Sequence, residues 1–375
     1  MRVNIGPVLV SQRKKRGITQ QQLADFIGVS KGAVSKWETG QSYPDISLLP
    51  ALASYFDLRI DDLMDYEPQL SAKEIQNIYR SLKKSFTTEP GDKVLTTMRS
   101  FVRRYYACYP FLQQMGMLLL NHFDLLPGKD MQDKTAKYVS EAQQLFIRVR
   151  KNSDDTELKL RARNMEAYSL LLLNKPTEVL SLLGTTTPEY IPTENLIASA
   201  YQMQGKTEQA QAVYQSAMYQ ASSVGMSYFT NYLVLLNDDP DRFGETYQRG
   251  RAYADVFALA SLNPAVYLNF LLSAVMGFAH QQKADEVFAV LTDYTDTLAD
   301  TKFPLVLHGD AYFDKIDSWL DHLDIGSETP RNSEMVEQQL IGIVLNDPTL
   351  APFRNDERWA PLADKLKEIN QNAHE

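Results

Sequence analysis

The chain of 375 residues holds one cysteine, Cys108, and nowhere does it hold an uninterrupted apolar run of membrane-spanning length. One thiol excludes an internal disulfide and fits a reducing compartment. The most apolar stretch, Phe111 to Leu126, is broken by Gln113, Gln114, Asn121, His122 and Asp124, so no membrane span is expected. Met1-Arg2-Val3-Asn4 leads straight into a helical pattern without the apolar core of a signal peptide, and the expected location is the cytoplasm. The five histidines, His122, His280, His308, His322 and His374, stand at no metal-ligand spacing from Cys108 or from one another. There is no phosphate-cradling glycine loop and no nucleophile motif. Neither metal, cofactor nor catalytic residue is expected, and the chain reads as something other than an enzyme. Strands are missing too: no succession of segments shows period-two alternation, so the expected fold is all-α.

Positive charge is also scarce overall, with a net charge of −9, which looks wrong for a partner of nucleic acid. Its distribution changes that reading. Residues 1–40 carry seven basic side chains (Arg2, Arg13, Lys14, Lys15, Arg16, Lys31, Lys36) against Asp25 and Glu38, whereas residues 41–70 carry Arg59 against six acids. The first 70 residues therefore balance, and the whole negative excess lies downstream. A small basic head can meet phosphate while an acidic body stays soluble and repels it.

The length suggests two or three units. Five short helical patterns fill residues 1–65. Gly17 ends the first. Thr19-Gln20-Gln21-Gln22 forms a capping box that starts the second, Gly28 ends it, and Ser30 caps the third. Gly40 stops the third and Pro44-Asp45 opens the fourth. Leu23, Ile27, Val34, Trp37, Ile46, Leu49, Leu52, Ala53, Phe56, Ile60 and Leu63 recur at helical spacing and are the expected core. Residues 66–71, with Pro68, are the expected linker. Ser71-Ala72-Lys73-Glu74 then restarts the chain as a helix through about Phe86, and residues 72–375 read as helices separated by Pro, Gly and Asn breakers such as Thr187-Pro188 and Asn263-Pro264.

Part of that body repeats. One unit contains Asn195-Leu196-Ile197-Ala198, Tyr201, Gly205-Lys206, Ala210, Tyr214 and Ala217; small residues at Ala198 and Ala210 let two antiparallel helices approach, and Gly205 turns between them. A second has Asn164, Ala167, Leu170, Asn174, Val179 and Leu183, and a third Val275, Phe278, Gln282, Val287 and Leu291. This spacing resembles the tetratricopeptide repeat; an irregular helical bundle is the alternative. Asn346-Asp347-Pro348 to Trp359 reads as a terminal helix pair capping the array.

Residues Ile5 to Leu63 resemble the XRE family of helix-turn-helix regulators, shared with lambdoid phage repressors. The matching residues are Arg13, Gly17-Ile18-Thr19-Gln20, Leu23-Ala24, Ile27-Gly28-Val29-Ser30, Val34-Ser35, Trp37-Glu38, Gly40, Pro44-Asp45, Leu49, Leu52-Ala53, Phe56, Ile60-Asp61 and Leu63. The third helix of such a unit enters the major groove of double-stranded DNA. Ser30, Lys31, Gly32, Ala33, Ser35 and Lys36 are the expected groove-facing residues, with Val34 and Trp37 turned inward. Lys31 and Lys36 can donate to guanine O6 and N7, and Ala33 or Gly32 can lie against a thymine methyl; plain phosphate attraction is the other reading of the two lysines. The resemblance puts Lys31, Gly32 and Lys36 at the main base-reading positions, where Gly32 departs from the long polar side chain often found. Gln20, opening the second helix, suits a phosphate. The resemblance also implies an Arg13–Glu38 ion pair bridging the first and third helices, while Lys14, Lys15 and Arg16 read as a solvated basic face. One head buries too little surface for tight specific binding, so a homodimer is expected.

An XRE head on a repeat body is similar to the Rgg and PlcR type of peptide-pheromone receptors. That resemblance implies a short extended peptide on the concave face, gripped by asparagines whose carboxamides serve both N–H and C=O of a peptide unit. The candidates are Asn164, Asn195, Asn231 and Asn269, with Tyr168, Ser199 and Gln202 on the same face. First-turn capping for Asn164 and Asn195, and ordinary exposure for the others, are the competing readings. A body that only dimerises or docks another protein is the alternative function.

Overall fold

The computed structural model describes residues 4–66, 69–186 and 192–372. Glu67 and Pro68 of the expected linker, Thr187-Pro188 and His374 lie outside them. The described residues are overwhelmingly helical, and no strand occurs among them beyond one isolated antiparallel pairing of Val306 with Glu328. Two compact units divide the chain: residues 1–78 with 90–183, and residues 79–89 with 184–375. The partition by packing thus differs from a partition by sequence pattern, since one helix, Ala72–Thr88, contributes to both.

In the first unit the head is built from α1 (Ile5–Lys15), α2 (Gln20–Ile27), α3 (Lys31–Glu38), α4 (Leu49–Phe56) and α5 (Ile60–Met64). It has its own core, made of Ile5, Leu9, Leu23, Ala24, Val34, Trp37, Leu52, Ala53, Phe56 and Leu63. Four expected core residues are not among them: Ile27 and Leu49 are half-buried and pack against this core from its edge, and Ile46 and Ile60 are exposed. Ile46 is 81% exposed, because Asp45 accepts from the Ser47 N–H and caps a 3-10 turn, Ile46–Leu48, so that the helical phase restarts only at Leu49. Ile60, the first residue of α5, also faces outward. Ile5 and Leu9 of α1 occupy the interior instead.

The remainder of the first unit packs Gly91–Arg104, Tyr109–His122, Ser140–Asn152, Thr156–Leu172 and Pro176–Leu183. Ion pairs Arg99–Glu141 and Arg150–Glu166 tie Gly91–Arg104 and Thr156–Leu172 to Ser140–Asn152. Ser71 and Glu74 exchange the two hydrogen bonds of the expected capping box, and that helix runs to Thr88. Cys108 is buried.

The second unit contains Thr193–Met203, Thr207–Leu235, Pro240–Val256, Pro264–His280 and Ala284–Asp300, closed by Ser333–Asn346 and Trp359–Asn372. Asn346-Asp347-Pro348 to Trp359 is therefore the connector between the two terminal helices, a 3-10 stretch, rather than the pair itself. Residues 301–332 depart from the all-helix expectation: apart from Asp317–Asp321 they are irregular. Pro304, Gly309 and Gly326 punctuate that segment, and its helically spaced Phe313, Ile316 and Leu320 fill a small core with Tyr219 and Leu262 instead of building a long helix.

Three helix pairs share one turn. Asn174, Gly205 and Gln282 adopt left-handed φ values of 56°, 72° and 57°. The lysine after each donates its N–H to a carbonyl five residues back, Lys175 to Leu170, Lys206 to Tyr201 and Lys283 to Phe278, at 2.9–3.0 Å. Ala167, Ala198 and Val275, three residues before those acceptors, are all buried. The aligned positions of the three sequence units thus coincide with one repeated local geometry, which glycine meets without strain and Asn and Gln meet at some cost.

Candidate nucleic-acid interface

The turn between α2 and α3 begins at Gly28, whose φ of 78° is the left-handed conformation glycine favours. The N–H groups of Gly28 and Val29 both reach the Ala24 carbonyl at 2.9 Å, which closes α2 and redirects the chain at once. Ser30 then caps α3, its Oγ accepting from the Ala33 N–H at 3.2 Å. At the other end of α2, Thr19 Oγ1 accepts from the Gln22 N–H and Gln22 Oε1 from the Thr19 N–H, the reciprocal box expected from the sequence.

Within α3, Val34 and Trp37 are buried at 0% and 5% exposure. At about 100° per residue, Lys31, Gly32, Ser35 and Lys36 share an arc opposite that buried stripe. Ser30, Lys31, Gly32 and Lys36 are exposed and Ser35 is half-buried. Ala33 lies at the margin of the arc, half-buried against the head core, whereas a Cβ on Gly32 would make an ordinary contact with Ser30 Oγ, at 3.8 Å.

The orientation of α3 is fixed from behind. Arg13 Nε donates to Glu38 Oε1 at 2.6 Å and Arg13 Nη2 to Glu38 Oε2 at 2.9 Å, a two-pronged pair between α1 and the end of α3. Arg13 Nη1 also donates to the Ile18 carbonyl at 3.0 Å. Burial works against the Glu38 charge, but hydrogen bonds from Arg13 and Gln20, with the charges of Arg13 and Lys14, outweigh it and hold the carboxyl below its ordinary range. The same hydrogen bond with Glu38 raises Arg13 above its usual value. Gln20 Nε2 donates to Glu38 Oε2 at 2.8 Å, so the amide expected to meet phosphate also takes part in the brace behind α3.

Two features of the head escaped the sequence reading. Gly6 sits where a Cβ would come within 2.6 Å of the Trp37 carbonyl oxygen and 3.0 Å of that of Glu38. Only a glycine lets α1 cross the end of α3 so closely, and a glycine inside a helical pattern was the available signal. Arg16, exposed like Lys14 and Lys15, also pairs with Asp57 and lies over the rings of Tyr55 and Phe56, 5.3 Å and 5.7 Å from their centroids. Lys14 and Lys15 are exposed as expected.

The helix-turn-helix family profile matches residues 9–63. The cryptic phage CTXphi transcriptional repressor RstR of Vibrio cholerae is 31% identical over 86 residues, 21% of this chain and 77% of that repressor. The chain belongs to the XRE-type helix-turn-helix family of DNA-binding transcriptional regulators. Further XRE relatives are the transcriptional activator BcrR of Enterococcus faecalis, 37% identical over 65 residues, and the regulator AnsR of Bacillus subtilis, 34% over 61. These matches cover 17% and 16% of this chain, but only 32% of BcrR and 53% of AnsR. The named relatives are transcription regulators, not enzymes. Among solved structures, Bacillus thuringiensis PlcR in complex with the peptide PapR7 and DNA is 15% identical, spanning 70% of this chain and 99% of that one at a TM-score of 0.23.

The ligand candidates fall in both units and are described within each. In the first, Asn164 and Tyr168 are exposed one helical turn apart on Thr156–Leu172, and Asn164 lies mid-helix, so first-turn capping does not account for it. In the second, Asn195, Ser199 and Gln202 are exposed along one face of Thr193–Met203, and Asn231 and Asn269 are exposed on Thr207–Leu235 and Pro264–His280. Among the described residues no helix is long and apolar enough to cross a membrane, and no group of three acids, histidines or cysteines could hold a metal.

Proposed function

We propose that this protein is a sequence-specific DNA-binding transcriptional regulator that acts as a homodimer and reads the major groove with the exposed arc of α3. The observation that carries the reading is the opposition on one short helix of a buried stripe, Val34 and Trp37, and an open basic arc, Lys31, Gly32, Ser35 and Lys36, braced by the Arg13–Glu38–Gln20 cluster. Lys31 and Lys36 donate to base edges, Ser30 and the first turn of α2 meet phosphate, and Ala33 lies at the edge of the contact. Genome-wide footprinting supplies the operator. Fluorescence-anisotropy titrations with that duplex and with a scrambled one test the assignment. The Lys31→Ala, Lys36→Ala double variant should bind both duplexes alike, with the specificity ratio reduced on the order of a hundredfold or more. An unchanged ratio would remove the two lysines from base reading.

A second reading concerns the body as a receptor for a short peptide. What supports it is the face Asn195–Ser199–Gln202 and the pair Asn164–Tyr168, which present carboxamide, hydroxyl and ring groups to solvent at helical spacing. Isothermal calorimetry with short secreted peptides of the source organism tests it. Binding weakened by Asn195→Ala or by Asn164→Ala supports the receptor and says which unit carries it, whereas a body that binds no peptide while holding two copies together supports the dimerisation-only alternative.

A further inference from the structure

From Gln209 to Asn237 the sequence holds no charged side chain. This stretch makes up nearly all of Thr207–Leu235, at 29 residues longer than any other described helix. Tyr219, Ser222, Met226 and Leu233 bury one side of it in the second unit. On the opposite side Ala217, Ala221, Val224, Tyr228, Asn231 and Leu235 follow at alternating steps of four and three, the spacing of a coiled-coil seam. From Ala221 onward that seam faces solvent: Tyr228 is 69% and Leu235 79% exposed, with Val224 and the flanking Tyr232 also open.

We propose that a second copy of this chain packs on the seam Ala221–Leu235, across a two-fold axis beside Asn231. Charge argues for a like partner. The body is acidic and two copies repel over most of their surface, so they approach best where each presents no charge. The composition, Tyr, Val and Leu without Lys, Asp or Glu, is that of a buried interface core. A single Asn in an otherwise apolar seam sets register: its carboxamide has both donor and acceptor, and two copies on the axis satisfy each other. An antiparallel pair centred there places Tyr228 of each copy against Leu235 of the other, as an isologous contact requires. The open seam and its flanking side chains expose on the order of 500 Å², well over half of the roughly 800 Å² per partner of a standard interface. The assignment rests on the homodimer reading above, withdraws Asn231 from the peptide-gripping set, and is tested without DNA.

Light scattering and sedimentation velocity on the full chain at micromolar concentration, without DNA, test it. The wild type should run at about twice its 42.6 kDa chain mass. The Tyr228→Glu, Leu235→Glu double variant should dissociate with at least a roughly tenfold rise in the dimer constant and an unchanged circular dichroism spectrum. Val256→Glu, equally exposed on another helix, should leave the dimer intact. Asn231→Cys should cross-link to itself under mild oxidation, a result that does not depend on weakening the fold, while wild type with its buried Cys108 should not. A monomeric wild type, a dimer indifferent to both glutamates, an absent Asn231→Cys cross-link, or glutamates that abolish peptide binding without changing the mass would each overturn the proposal.

Discussion

The head and the repeat pairs of the body use the same device for opposite ends. Both join consecutive helices through a residue at left-handed φ: Gly28 between α2 and α3, and Asn174, Gly205 and Gln282 in the three helix pairs. In the head the turn serves to expose. It throws α3 outward, and Arg13, Glu38 and Gln20 clamp it from behind so that its basic arc stays open. In the body the turn serves to bury, folding each helix back on its predecessor over Ala167, Ala198 or Val275. Few residues do much of the work in the head, and each has one geometry; in the body the work is spread over long helices, where single positions matter less.

The sharpest way to break that contrast is at the brace. Glu38→Ala leaves a largely buried guanidinium unpaired and should cost the head about 2–3 kcal/mol, read by thermal denaturation. Gly6→Ala forces a Cβ against backbone carbonyls and should cost about 1–3 kcal/mol. If both variants melt like wild type, α3 is not held from behind. The matched change in the body, Gly205→Ala, asks for left-handed φ from alanine in a turn with open space around it, and should cost about 1 kcal/mol. A loss there as large as at Glu38 would erase the distinction.

The pH dependence of the head should be milder still. The folded Glu38 carboxyl titrates below its ordinary range, so the stabilisation it brings is present above the unfolded value and fades as pH falls through the lowered one. Melting followed from about pH 6 to pH 3 should show that decline, and Glu38→Gln should flatten its share of it. The smallest expected effect is on the ligand face: if a peptide is found, Asn195→Ala should weaken it by about 1 kcal/mol in calorimetry.

Much of the head was legible in the sequence because its caps and turns are local. Thr19–Gln22, Gly28 and Ser30 act within three or four residues, so spacing alone predicts them. Val34 and Trp37 followed from helical period. What spacing could not convey were contacts across the fold: Gly6 under Trp37, Arg16 on Asp57, and the hydrogen bond of Gln20 to Glu38. Ile46 was misplaced because a 3-10 turn breaks the period that a continuous helix would keep. In the body the repeated turns were readable, but residues 301–332 were not, since Phe313, Ile316 and Leu320 have helical spacing in a segment whose glycines and prolines prevent a long helix. The ligand candidates remained a list of polar residues because the sequence does not say which exposed Asn faces what.

The most direct test of the account pairs one protein group with one DNA atom. Single guanines of the footprinted operator are replaced by 7-deazaguanine, which lacks the N7 acceptor, and binding is titrated with wild type, Lys31→Ala and Lys36→Ala. The account predicts that at least one replacement weakens wild type by about 1–3 kcal/mol and no longer matters once its lysine is gone. Equal losses for wild type and both variants at every guanine would contradict base reading by α3.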